Sequence, residues 1–112
     1  MTAARRAGLA GSAGVFAALG DETRIELVAR LCEGGPQSIA RLTSGLGLTR
    51  QAVTKHLRVL EGAGLVSGAR AGRESRWEME TRRLEIARRY LERISLRWDR
   101  RLRALQKHVE GN

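Results

Sequence analysis

The chain has 112 residues, with 21 lysines and arginines against 12 acidic residues, a net charge of +9 and a single cysteine. That length suits one domain whose core is small enough to make a covering partner worth seeking. The charge favours a polyanionic partner, the lone Cys32 excludes an internal disulfide and suits a reducing cytoplasm, and no stretch approaches the length needed to span a membrane.

Arg5 and Arg6 ahead of AGLAGSAGVFAALG imitate a twin-arginine export signal, but the run is rich in glycine and alanine rather than strongly apolar. Its second half has another use: Val15, Phe16 and Leu19 suit a short first helix, leaving residues 1–12 as a flexible basic arm and 13–112 as the folded domain. Asp21 is placed to cap a second helix, ETRIELVARLCEG, with Ile25, Val28, Leu31 and Cys32 expected on one buried face. Gly34, Gly35 and Pro36 end it. On such a face Cys32 reads as a small core hydrophobe rather than a reactive thiol or metal ligand.

Ser38 can cap a third helix, IARLTSGL, in which Ile39 and Leu42 point inward, and Gly45 and Gly47 permit a tight turn into the next. The segment that follows, LTRQAVTKHLRVLEGAGLV, carries the most information about function. Val53, Leu57 and Leu60 follow the 3.6-residue period of a buried stripe, while Arg50, Gln51, Thr54, Lys55 and Arg58 fall on the other side. With Thr49 as N-cap, Arg50 and Gln51 occupy the first turn, the part of a recognition helix that reaches base edges. Arginine can donate two bonds to guanine and glutamine can bracket adenine. A merely solvated amphipathic helix is the bland reading of this segment taken alone.

Leu65 and Val66 begin an extended segment, and Trp77 and Met79 alternate with Arg76, Glu78 and Glu80 in a second one. The two predict a hairpin, a wing with Arg70, Arg73 and Arg76 near its tip, able to reach phosphates or a minor groove. From Thr81 to Val109 the chain reads as one long helix. Leu84, Ala87, Leu91, Ile94, Trp98, Leu102, Leu105 and Val109 recur at spacings of three and four, a stripe too long to bury in so small a domain. The same helix of a second subunit is the economical cover. The many arginines of this segment, partly offset by Glu85, Glu92 and Asp99, read chiefly as a solvated surface, with contact of some of them to nucleic acid as the other reading.

The order of short helix, helix, helix-turn-helix, wing and long terminal helix closely resembles the ArsR-type (arsenic-resistance repressor-like) winged-helix regulators. The resemblance runs from about Val15 to Val109, and its most specific parts are ALGDETRIELV and the pattern V-T-K-H-L-x-x-L-x-x-A-G-L-V from Val53 to Val66. It implies a mainly α fold with a small β-hairpin, a winged helix-turn-helix with a long C-terminal dimerisation helix. It further implies a dimeric repressor on a palindromic operator, with Arg50, Gln51, Thr54, Lys55 and His56 facing DNA. His56 has two readings: it donates to a phosphate or base, or it braces the recognition helix against the preceding one.

The chain departs from the family's metal sensors. Where they carry a Cys-Val-Cys box, it has Ser38, Ile39 and Ala40, which cannot replace two thiolates for a soft metal. The terminal helix offers only Glu85, Glu92, Asp99, His108 and Glu110 toward the family's second site, so no metal site and no cofactor is expected. The resulting expectation is a cytoplasmic, sequence-specific homodimeric repressor acting through the helix 49–62 and the wing 66–79. Its partner is an operator duplex rather than a membrane, and an effector is left open. The alternative is a protein-interaction module whose basic C-terminal helix binds an acidic partner. An enzyme is disfavoured, since no nucleophile-base pairing or phosphate loop is evident. RNA is disfavoured because the few aromatics, Phe16, Tyr90, Trp77 and Trp98, form no stacking platform.

Overall fold

A computed structural model describes residues 3–111. The elements run α1 (Ala3–Ala18), α2 (Glu22–Gly34), β1 (Gln37–Ser38), α3 (Ile39–Thr43), α4 (Arg50–Gly62), β2 (Val66–Ala71), β3 (Glu74–Met79) and α5 (Thr81–Glu110). The three expected caps form. Asp21 Oδ2 accepts from the Arg24 N–H at 3.0 Å, Ser38 Oγ from that of Arg41 at 3.3 Å, and Thr49 Oγ1 from that of Ala52 at 3.1 Å. Each satisfies one of the N–H groups that a helix start leaves unpaired.

Four helices converge on a single core. Val15 and Ala18 of α1, Leu27 and Leu31 of α2, Leu42 of α3, and Val53, Leu57 and Leu60 of α4 are all buried, with Leu65, Val66 and Trp77 closing the sheet side. The sheet is antiparallel in the order β1-β3-β2. The hairpin of β2 and β3 pairs Ala71 with Glu74 across a two-residue loop, with positive φ at Gly72 and none at Arg73, the pattern of a II′ turn. In the turn between α3 and α4, Gly45 and Gly47 take φ of 77° and 68°, a left-handed region that side chains with a Cβ resist.

Four features differ from the sequence expectation. First, α1 starts at Ala3, so residues 3–12, expected as an arm, continue the first helix, while Met1 and Thr2 lie outside the described residues. Second, Cys32 is exposed and Ile25 is 53% exposed, because α2 turns Leu27 and Leu31 inward. The helix carries apolar residues at 25, 27, 28, 31 and 32, more than one stripe can bury, and the core takes the pair four apart. Third, α3 is only five residues long, and its predecessor Gln37–Ser38 forms an edge strand on β3. Fourth, Ala87 is buried and Leu84 packs against the core, because the start of α5 lies along α1. The apolar stripe left uncovered therefore begins at Leu91.

Beyond that point α5 stands clear of the body, and every residue from Leu91 to Gly111 is exposed. The radius of gyration, 18.6 Å, exceeds the value of about 13 Å for a compact domain of this length. None of the described helices is long and apolar enough to cross a membrane.

Candidate nucleic-acid interface

The division of α4 into an inner and an outer side sets the site. Val53, Leu57 and Leu60 are fully buried, which turns Gln51, Lys55 and Arg58 out to the exposed surface and leaves Ala52, Thr54 and His56 half-buried; Arg50, expected on the opposite face, shares the stripe of Val53 and Leu57 and is exposed because it begins the helix, beyond the core. Thr49 stops the helix from fraying just where Arg50 and Gln51 begin it. Thr54 donates its hydroxyl proton to the Arg50 carbonyl at 2.8 Å, which leaves its oxygen free to accept and its methyl group free for apolar contact.

Two arginines of α2 hold this helix-turn-helix in place. Arg30 donates through Nη1 to the Leu42 carbonyl at 2.9 Å and to the Ser44 carbonyl at 2.6 Å, while its Nε meets Glu26 at 3.1 Å. It thereby satisfies carbonyls at the end of α3 and clasps the turn to α2. Arg24 donates to the Ala18 carbonyl and reaches His56 Nδ1 at 3.3 Å. Because arginine cannot accept, a neutral His56 ring must accept at Nδ1 and carry its proton on Nε2. Asp21 Oδ2 lies 3.7 Å from the same Nδ1. The carboxyl of Asp21 is held below its ordinary value, first by the N–H of Arg24 that it accepts, with a smaller contribution from the Arg24 charge. His56 thus ties α4 to the start of α2 rather than to α3, the helix immediately before it.

The wing is anchored to α4 by Trp77. Its ring is buried, lies 3.5 Å from where a side chain at Gly68 would start, and carries the Arg58 guanidinium 5.2 Å from its centroid. Arg58 also pairs with Glu61 at 2.9 Å, so it is held at the junction of helix and wing while staying on the surface. Arg70, Arg73 and Arg76 are exposed on the hairpin, with Arg76 3.9 Å from Glu74.

The roles of Arg24 and Arg30 went unread in the sequence. A basic residue on the flank of a buried stripe, at the same end as a helix-turn-helix, is the only signal for them. Ser38, where metal sensors hold a thiolate, serves as the α3 cap. Among the described residues, no three His, Cys, Asp or Glu side chains gather where they could hold one ion.

A buried-backed helix with a cationic and amide-bearing outer face, preceded by a short helix and flanked by an arginine-tipped hairpin, defines a winged helix-turn-helix DNA-binding protein. Comparison with known proteins agrees. A family model described as a helix-turn-helix domain matches residues 19–68. The HTH-type transcriptional regulator YuzN of Bacillus subtilis is 43% identical over 65 residues, covering 53% of this chain and 71% of that protein. The HTH-type transcriptional regulator Rv2034 of Mycobacterium tuberculosis is 36% identical over 85 residues, 76% of each chain. An ArsR-like transcriptional regulator from Rhodococcus sp. RHA1 superposes with a TM-score of 0.73 at 43% identity, covering 88% of this chain and 92% of that one. The chain belongs to the ArsR-like family of helix-turn-helix transcriptional regulators, a DNA-binding and non-enzymatic class.

Proposed function

We propose that the protein is a cytoplasmic homodimeric repressor that places one α4 per protomer in successive major grooves of a palindromic operator, without a metal signal. The observation that carries this reading is the capped first turn of α4, where Arg50 and Gln51 are both exposed, Gln51 on the side away from Val53 and Leu57 and Arg50 at the helix start beyond the core. Arg50 and Gln51 make the base contacts. Thr54 and Lys55 contribute mixed contacts, the former through its methyl group and acceptor oxygen. Arg58, Arg70, Arg73 and Arg76 meet phosphates or the adjacent minor groove. His56, turned toward Arg24 through Nδ1, has Nε2–H as the donor available to a phosphate.

Dimerisation is supported by the uncovered stripe from Leu91 to Leu105, which needs an apolar cover that one protomer does not supply. Two-fold pairing would give half-sites one helical turn, about 34 Å, apart. Footprinting of the promoter beside its own gene tests the proposal. Two protected patches one turn apart, related by a sequence dyad, are expected. Folded protein that protects nothing at low ionic strength would overturn it.

A further inference from the structure

The terminal helix is organised more tightly than a solvated surface requires. At about 100° per residue, most of its exposed side chains group into three lengthwise zones. The apolar stripe holds Leu91, Ile94, Trp98, Leu102 and Leu105; about 120° round from it runs a line of Glu85, Glu92 and Asp99, joined by Arg88 and Arg103; and the side opposite the stripe carries Ile86, Arg89 and Ala104 together with Arg82, Arg93, Arg97, Arg100 and Lys107. These last five lie within an arc of about 80° and run for about 38 Å at 1.5 Å per residue. A helix that needs only solubility intersperses the two signs.

Charge pairing sharpens the asymmetry. Arg88 meets Glu85 at 2.6 Å and Glu92 at 3.1 Å, and Arg89 meets Glu85 at 3.4 Å. Glu85 is accordingly held down to about 2, first by its hydrogen bonds from Arg88. The acidic line is thus largely answered within the helix, whereas among the described residues no ion pair joins Arg93, Arg97, Arg100 or Lys107 to a carboxylate. Ten basic residues against four acidic ones give α5 a net of +6, two-thirds of the +9 of the whole chain.

The position of the helix gives this charge its meaning. The start of α5 packs along α1, whose Val15 and Ala18 share a core with Val53, Leu57 and Leu60 of α4, so α5 leaves the body from the core side of the recognition helix. We propose that the basic face of α5 is a second duplex-binding surface, by which protein seated on its operator captures another DNA segment. The proposal rests on operator reading by α4 and adds a second polyanion to it. A straight, arginine-rich line about one helical turn of duplex in length matches a rod with one negative charge per about 1.7 Å of axis. Arginine forks also suit phosphate oxygens better than point charges do. An anionic membrane would need the apolar stripe as well as the basic face, and an acidic protein would have no reason to require a basic face of that length.

A sandwich assay tests this. Biotinylated operator is immobilised and saturated with the full chain, unbound protein is washed away, and a labelled duplex of unrelated sequence is added. Wild type should retain the second duplex at low salt, with a log–log salt slope near about −4.5 for five phosphate contacts. The triple variant Arg93→Gln, Arg97→Gln, Arg100→Gln should bind the operator within about threefold of wild type, yet capture the second duplex with a slope shallower by about 3 units. The same three positions changed to Lys should restore most of the capture, separating charge from a structural effect. Equal capture by the Gln variant, or no capture by wild type that holds its operator, overturns the proposal. Wild type that retains acidic polypeptide or anionic vesicles, but not duplex, overturns it too. Failure to hold the operator at all would instead count against the function proposed above.

Discussion

Replacing Ile94 by Asp should convert the protein to monomers without unfolding it. Ile94 is 45% exposed in the single protomer, so roughly half of its side chain remains to be covered when a second α5 packs on the stripe. Full burial of an isoleucine stabilises by about 1.5–3 kcal/mol, which leaves about 1 kcal/mol for each of the two copies. Ile94→Ala should therefore weaken the dimer by about 2 kcal/mol, roughly 30-fold in Kd. Ile94→Asp also carries two carboxylates toward an apolar seam, an added penalty of a few kcal/mol. The total exceeds about 4 kcal/mol, or a thousandfold. Sedimentation equilibrium over a range of protein concentrations reads the shift, and circular dichroism checks that the helices persist. If Ile94→Asp sediments as wild type does, or if wild type is itself monomeric at micromolar concentration, the reasoning about the stripe is wrong.

Three further outcomes are expected. Thr49→Ala removes the acceptor of the Ala52 N–H and should lower stability by about 1 kcal/mol, read as a Tm fall of about 4–8 °C; Thr49→Ser should recover most of it, and equal melting of all three proteins would contradict the cap. Arg73→Ala should weaken binding to operator and unrelated DNA alike and flatten the salt slope by about one unit, whereas an unchanged slope would remove Arg73 from the phosphate contacts. Asp21 has a carboxyl held below its ordinary 3.8, so its contribution is complete above that value and is lost as pH falls through the lower folded one. Asp21→Asn should therefore blunt the acid limb of the stability profile, measured by denaturant melts below pH 5, and an unaltered limb would count against the cap's charge.

The parts of the fold that were legible in the sequence share a physical reason. Thr49, Asp21 and Ser38 each stand where a polar side chain precedes an apolar-periodic run, and capping is local enough to be read without knowing the tertiary structure. The inner side of α4 was equally plain, since Val53, Leu57 and Leu60 are its best-spaced large apolar residues and Arg, Gln and Lys fill the gaps. In α2 the periodicity admitted two faces, and only the placement of α1, α3 and α4 decides that Leu27 goes in while Ile25 and Cys32 stay out. The edge strand Gln37–Ser38 is two residues long and exists because β3 offers a partner, which no local pattern announces. Leu84 and Ala87 fit the seam's period as well as Leu91 does. Their cover by α1 is a tertiary fact, as are the links from Arg24 to His56 and from Arg30 to the α3–α4 turn.

Selection of binding sites from a randomised duplex pool, run in parallel with wild type and Arg50→Ala, bears most directly on the claim that the first turn of α4 reads DNA. Wild type should yield a dyad-symmetric sequence, and the variant should lose preference at one base pair in each half-site, with a loss of about 1–3 kcal/mol on the selected operator. Identical base preferences for the two proteins would place sequence reading elsewhere in the molecule.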